Sequence, residues 1–258
     1  MSRLPRIAIA AAVLSGVAAV PAAAQQPSLP DGVVARVGQE RIPERQFRHW
    51  LRIGIRGESS PVDPPRFERC IGAERETPSE QRHPSSEREL RSRCRGRYQA
   101  IRASTMLFLV HRVWTRQEAA ARGLAVAPKQ VRRAFERQKR EAFPTERAFR
   151  EFLRSSGLTK ADLLQRTEFD MLQRRLIRAA AVNVPEVTRE EVERYYARHR
   201  RRFSGLSPAS ARRAIRVQLT AARRQRATAR FLDEFRSRYR AMTTCAQGYV
   251  IDACSNGR

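Results

Sequence analysis

The chain of 258 residues has 52 lysines and arginines against 26 aspartates and glutamates, which gives a formal net charge of +26. A chain of this length can bury the core of one domain or of two small ones. After residue 20 no apolar stretch is long enough to cross a bilayer, which excludes a protein with several membrane spans.

Residues 1–24 have the layout of a secretory signal peptide. Arg3 and Arg6 precede an apolar run over residues 7–20, and small residues follow up to Ala24. The run is too short to span a bilayer, so we predict cleavage near Ala24, with an uncleaved anchor as the alternative. We therefore expect an exported protein, periplasmic or extracellular, with no transmembrane segment in the mature chain and with residues 25–32 as a linker.

A small β-hairpin and a helix are predicted next. The β-branched residues of 33–37 form the first strand, Gly38 and Gln39 form the turn, and residues 41–42 return. Pro43 suits the first turn of the following helix. That helix has apolar residues spaced by three and four positions: Phe47, Trp50 and Leu51.

Four cysteines in an exported chain favour disulfides. Cys70 and Cys94 bracket a polar stretch, and Cys245 and Cys254 bracket a short turn. Three connectivities are possible, and these two local pairs are preferred. A metal site is the weaker alternative because no C-x-x-C pair is present, and no metal or other cofactor is predicted. The stretch over residues 70–94 is predicted to be an inserted loop, since its composition cannot bury a core alone.

Helices are predicted for the middle of the chain. A long helix runs from about Glu89 to Arg122 and is closed by Gly123. Its second half is apolar nearly all round, so we expect it to be buried on more than one side. Pro128 begins another helix, which ends near Phe143.

Three further capped helices are predicted between Thr145 and Phe203. Gly157 is a natural C-cap because glycine accepts a positive φ. Thr159 and Thr188 each precede an acidic residue by three positions, as in a capping box.

The last helix is predicted over residues 208–242. Its apolar face rotates along its length, which indicates contacts with two different parts of the protein. In the tail of residues 245–258, the segment Tyr249–Ile251 is predicted to be a short strand that adds to the N-terminal hairpin and brings the two ends of the domain together.

The order of these motifs resembles the SurA N-terminal, peptide-binding domain of exported foldases of the SurA and PrsA type. Gln39 and Pro43 depart from the family's usual turn and capping residues. The resemblance extends over most of residues 33–239 and rests on four features: V-G-x-x-x-I at 37–42, G-L-T-x-x-D-L at 157–163, V-T-x-x-E-V-x-x-Y-Y at 187–196, and Phe203.

This resemblance implies a mainly α fold: a helical SurA/trigger-factor-like chaperone domain over residues 33–244, with a small N-terminal β-hairpin joined by a C-terminal strand. In the family, a parvulin-type prolyl isomerase domain commonly follows the position of Phe203. Here only residues 204–207 separate Phe203 from Pro208, too few for a domain. The chain therefore resembles the isomerase family without its catalytic domain.

No catalytic residue is predicted. The histidines lie in helical or loop stretches unlike an isomerase site, and the sequence contains no H-E-x-x-H, P-loop or Rossmann glycine pattern. An enzyme without a recognisable motif is the alternative, since chemistry does not require a known motif.

The resemblance implies an ATP-independent chaperone that holds unfolded or nascent exported proteins in an apolar groove between helices. Tyr195 and Tyr196 point about 100° apart on a helix, so both cannot face one core stripe. Any of the candidates for client binding could instead fill the core. The candidates are the following aromatic residues: Trp50, Phe108, Trp114, Phe149, Phe152, Tyr195, Tyr196 and Phe203.

Two alternative functions remain. The first is a peptidyl-prolyl isomerase with residual or partner-dependent activity, and the second is an adaptor that binds cell-envelope polymers. The arginine surplus is explained either by solvated helix faces or by weak attraction to anionic envelope polymers, lipid head groups or acidic clients. No specific nucleic-acid binding is predicted, because the arginines are spread along every helix.

Overall fold

The computed structural model describes residues 29–182 and 184–257, so the predicted signal peptide lies outside the described residues. Of these described residues, 69% are helical, which confirms the prediction of a mainly α fold. The described helices are bounded as follows: α1 Glu44–Arg56, α2 Glu68–Arg75, α3 Pro78–Arg82, α4 Glu87–Ala121, α5 Pro128–Ala142, α6 Glu146–Ser156, α7 Lys160–Val182, α8 Arg189–Arg198 and α9 Pro208–Ala241.

A three-stranded antiparallel sheet joins the two ends of the described chain. Its strands are β1 (Val33–Val37), β2 (Glu40–Pro43) and β3 (Thr243–Cys245), and β1 lies in the middle. Gly38 has a φ of +57° in the turn between β1 and β2, a conformation that glycine adopts without a Cβ penalty. The predicted hairpin is present, and a strand from the C-terminal part of the chain adds to it.

The third strand lies earlier in the chain than predicted. Residues 249–251 form no strand, and Thr243–Cys245, directly after α9, pairs with β1 instead. The Thr243 hydroxyl accepts a hydrogen bond of 2.8 Å from Trp114 Nε1, which fixes the chain at this point. The chain then folds back through the disulfide between Cys245 and Cys254, and the Tyr249 ring packs edge-on against Phe47 at 5.0 Å.

Both predicted disulfides form. The sulfur atoms of Cys70 and Cys94 are 1.98 Å apart, and those of Cys245 and Cys254 are 2.02 Å apart. No cysteine in the described chain is free. The two preferred local pairings are therefore confirmed.

The segment between Cys70 and Cys94 is helical, so the prediction of a loop was wrong. It contains most of α2, all of α3 and the first two turns of α4. Thr77 and Ser86 cap α3 and α4 with their hydroxyls, and arginines of α4 pair with the acids Glu74 and Glu80. The charged residues that indicated a solvated loop thus pair with each other between helices. They surround a small core: Phe67, Cys70, Ile71, Leu90 and Cys94.

The predicted helix ends between Thr145 and Phe203 are confirmed. The Thr145 hydroxyl accepts a hydrogen bond of 3.1 Å from the Ala148 amide at the start of α6, and Gly157 ends α6 with a φ of +71°. Thr188 and Glu191 form a complete capping box at the start of α8. Local hydrogen bonds therefore fix these boundaries, as the sequence pattern predicted.

Asp162 joins the start of α7 to α1. Its carboxylate accepts hydrogen bonds from the amide and the hydroxyl of Thr159, at 2.8 and 2.6 Å, and lies 3.0 Å from His49 Nε2 on α1. Burial acts to raise the pKa of Asp162, but the hydrogen bonds from Thr159 and His49 outweigh it and hold the pKa below its ordinary value of 3.8. The ionised form is therefore the one that the fold stabilises.

Replacing Asp162 by asparagine is expected to lower the free energy of unfolding at neutral pH by about 1–3 kcal/mol, because the new amide cannot accept all three hydrogen bonds. A carboxylate whose pKa is lowered by folding contributes fully above the unfolded pKa and loses this contribution as the pH falls through the folded pKa. The wild-type protein should thus lose stability below about pH 4 more steeply than Asp162→Asn. Urea titrations across this range measure the difference, with Asp170→Asn on the exposed side of α7 as the control. Equal pH profiles for the wild type and Asp162→Asn would contradict the assignment.

Helix α4 forms the centre of the main body, where it packs against α1, α7 and the sheet. Trp114 is 1% exposed and lies against the rings of Phe235 and Tyr239 of α9, each at a centroid distance of 5.9 Å. Burial and the neighbouring carboxylate of Glu118 raise the pKa of Tyr239 to about 12. The second half of α4 is buried on several sides, as predicted.

Residues 187–219 form a second packed unit, which we call the arm. It consists of α8, a 3-10 turn at Arg200–Phe203 and the first part of α9. It has its own small core, separate from that of the main body: Val192, Phe203, Ala211 and Ile215. Helix α9 is about 51 Å long and also packs on α7 with its C-terminal part, so it contacts two parts of the protein, as predicted.

Candidate functional site

A groove with an apolar floor lies between α1 and α4 and has a volume of about 400 Å³. Its floor contains Trp50 and Ile53 from α1 and Ile101 and Phe108 from α4. The rings of Trp50 and Phe108 are in contact, with centroids 4.7 Å apart. Trp50 is 6% exposed and Phe108 is half-buried, so both rings contribute to a largely preformed surface.

Small residues keep this groove open. Gly54 brings α1 close to α4, since an added Cβ would lie 3.0 Å from Cγ2 of Ile101. On α4, Ala100 and Ser104 are exposed and line the opening one turn apart. The close helix approach and the two short side chains leave room above the aromatic floor.

Charged residues surround the opening. Glu58 and Arg166 are exposed on its rim, and Arg97 is half-buried beside them. Arg97 is held by an ion pair with Glu74 of α2 and by a contact of its Nη1 with Cys70 Sγ at 3.7 Å. The disulfide-framed segment therefore positions one side of the groove.

A second groove of about 570 Å³ lies between α4, α9 and the C-terminal segment. Leu107, His111 and the edge of Trp114 form its α4 side, and Arg236 is on its α9 side. Burial and the nearby Arg236 lower the pKa of His111. Trp114 is almost completely covered, so this groove offers less aromatic surface than the groove between α1 and α4.

The structure brings only two of the predicted client-binding residues together in the α1/α4 groove: Trp50 and Phe108. Phe149 and Phe152 instead pack with Phe143 near the ends of α5 and α6. The remaining candidates lie elsewhere. Trp114 is in the main core, and three residues belong to the arm: Tyr195, Tyr196 and Phe203.

Sequence reasoning did not identify the residues that shape the opening: Ile53, Gly54, Ala100, Ser104 and Arg166. A signal for two of them is present, because Ala100 and Ser104 are small residues one turn apart on the same helix as Phe108. Nothing local in the sequence links Arg166 of α7 to this site, since it reaches the rim only through packing of α7 on α4.

Over residues 29–182 and 184–257, no group of three or more His, Cys, Asp or Glu residues is arranged to hold a metal ion. Among the helices of the same residues, none combines the length and apolar character needed to cross a membrane. No family model, curated protein or solved structure matches the chain.

Proposed function

We propose that the protein is an ATP-independent chaperone that holds extended apolar segments of unfolded exported proteins in the α1/α4 groove. The observation that carries this proposal is the aromatic floor of Trp50 and Phe108 under an open, charged rim. Apolar floors bind side chains of many sequences, and a charged rim keeps the complex soluble.

The size of the groove supports an extended segment as the occupant. A volume of about 400 Å³ suits a few side chains and is too small for a folded surface to enter. Arg97, Arg166 and Glu58 around the opening can pair with polar groups of a client backbone or with charged client residues. Binding of this kind needs no nucleotide and no covalent step.

The motifs shared with SurA-type foldases support the same proposal. The hairpin, the turn at Gly157 and the helix before Phe203 all occur as folded elements in the order that the resemblance requires. We propose that the chain is a relative of these foldases in which residues 204–207 stand where the isomerase domain is usually inserted.

Filling the groove is the sharpest test. Ser104→Trp places a large ring over Trp50 and Phe108 without replacing any core residue, because Ser104 is exposed at the opening. We expect the concentration needed for half-maximal suppression of client aggregation to rise about tenfold, equivalent to about 1.4 kcal/mol of binding. Light scattering after dilution of a chemically unfolded client, without nucleotide, measures this effect.

Ala103→Trp is the matched control, since Ala103 is the exposed neighbour on the same helix but does not line this groove. It should suppress aggregation like the wild type. If Ser104→Trp and Ala103→Trp suppressed aggregation equally well, the protein would not hold clients in this groove. The same preparations should be assayed for prolyl isomerisation, where turnover would favour the isomerase alternative instead.

A further inference from the structure

We propose that the arm is a docking surface for anionic lipid bilayers. Between Glu193 and Asp233 the sequence contains twelve arginines and no acidic residue. Eight of these arginines belong to the arm, whose acids are confined to the first turns of α8. The far part of the arm, residues 194–219, is therefore uniformly basic.

Most of this charge is available to a partner. Arg212 is paired with Glu193, and Arg223, at the base of the arm, is paired with Glu191. Arg200, Arg201 and Arg202 are exposed in the 3-10 turn and form no ion pair with any residue in 29–182 or 184–257. Three adjacent arginines at one turn attract an anionic surface at close range.

Exposed apolar residues lie within this basic surface. Leu206 is 48% exposed in the turn that follows Arg200–Phe203, and Val217 is 70% exposed on α9 between Arg213 and Arg216 on one side and Arg224 on the other. Exposed apolar side chains such as these do not stabilise the fold in water. Arginines that reach lipid phosphates while short apolar side chains enter the head-group region match a membrane interface.

The aromatic residues of the arm favour a bilayer over a single-stranded nucleic acid. Single-stranded nucleic acids are bound by exposed rings on which bases stack. Here the Tyr195 ring is stacked on His199 at 4.1 Å, and Tyr196 and Phe203 pack on each other within the arm. The exposed surface therefore offers arginines and aliphatic side chains rather than stacking platforms.

This docking does not depend on the proposed chaperone function, because the α1/α4 groove is built from other elements. If both proposals hold, the arm would keep the groove close to the membrane at which exported chains emerge.

The test uses the whole protein and sedimentation with vesicles of phosphatidylcholine, with or without phosphatidylglycerol. We expect binding only to the anionic vesicles and loss of binding as salt is raised. The triple variant Arg200→Gln, Arg201→Gln, Arg202→Gln should lower the partition coefficient about 100-fold, which corresponds to about 1 kcal/mol for each arginine. Leu206→Ser should lower it several-fold without changing the dependence on salt.

The control is Arg132→Gln, Arg133→Gln, Arg137→Gln, which removes the same charge from exposed positions of α5. It should change the partition coefficient less than threefold. Circular dichroism checks that each variant is folded. If the triple variant at residues 200–202 does not fold, Leu206→Ser still tests the arm.

Equal losses from the two triple variants would mean that net charge alone causes binding and would overturn the proposal. So would equal binding to neutral and anionic vesicles. Tighter binding to duplex RNA than to anionic vesicles, with no effect of Leu206→Ser on either, would assign the arm to nucleic acid instead. Aggregation suppression measured without lipid reports on the groove alone, so failure of one proposal is distinguishable from failure of the other.

Discussion

Trp114→Ala is expected to destabilise the protein by about 3–5 kcal/mol, with a loss of roughly 10 °C in melting temperature. The reason is the position of the indole in the main core, 1% exposed, where it contacts Phe235 and Tyr239 and donates to the Thr243 hydroxyl at 2.8 Å. Removing it leaves a cavity where α4, α9 and β3 meet. Thermal and urea unfolding followed by circular dichroism measure the loss.

Trp114→Phe is the matched variant for this prediction. It keeps most of the packing and removes the hydrogen bond to Thr243, so it should cost about 1–2 kcal/mol. The sequence alone also predicted Trp114 as a client-binding residue. A stable Trp114→Ala protein that had lost client binding would restore that role and contradict its assignment to the core.

Removal of the Cys70–Cys94 disulfide by paired alanine substitutions is expected to cost about 3 kcal/mol for its loop of 24 residues. The stability of the segment between the two cysteines should fall more than the free energy of global unfolding indicates. Helices α2 and α3 pack mainly on α4 through a small core and ion pairs, so the segment should open before the main body unfolds. Arg97 would then lose Glu74, its partner at the groove.

Limited trypsin digestion with mass spectrometry measures this opening, because the segment contains several arginines. Paired alanine substitutions at Cys245 and Cys254 are the control. This second disulfide closes a shorter loop but should stabilise the protein to a similar extent. New cleavage between residues 66 and 97 should occur only in the first variant, together with weaker aggregation suppression. Identical digestion patterns would show that the disulfide does not hold the segment in place.

Features set by local chemistry were predictable from the sequence. Glycine at 38 and 157 adopts a positive φ, and threonine at 145, 159 and 188 accepts hydrogen bonds from helix starts. Each of these effects acts within about four residues, so a sequence window contains all of its causes. The mainly α fold follows from the helices that these signals delimit.

Features set by partners distant in the chain were not predictable in the same way. The helices between Cys70 and Cys94 depend on pairing of Glu74 and Glu80 with arginines of α4, which composition alone does not show. Similarly, an aromatic residue at a helix position can belong to a groove or to a core. Trp50 and Trp114 both belong to the main core and both line a groove, and only their packing shows that Trp50 is 6% exposed and Trp114 1%.

The arm illustrates a third kind of difference. Arginines are spread along every helix, and this even spread argued against a localised binding surface. The acidic residues are not spread evenly, however, and their absence between Glu193 and Asp233 makes one surface strongly basic. Net charge along a surface depends on both signs, so counting arginines alone missed it.

The position of β1 between β2 and β3 has a consequence for biosynthesis. A chain that emerges from its N-terminus can form the β1–β2 hairpin early, but the other edge of β1 stays unpaired until Thr243–Cys245 has been made. The hydrogen bond between Trp114 and Thr243 must wait for the same moment. The main core is therefore completed only after Thr243–Cys245 has been synthesised, and until then the nascent chain lacks the contacts that close the sheet and the core around Trp114.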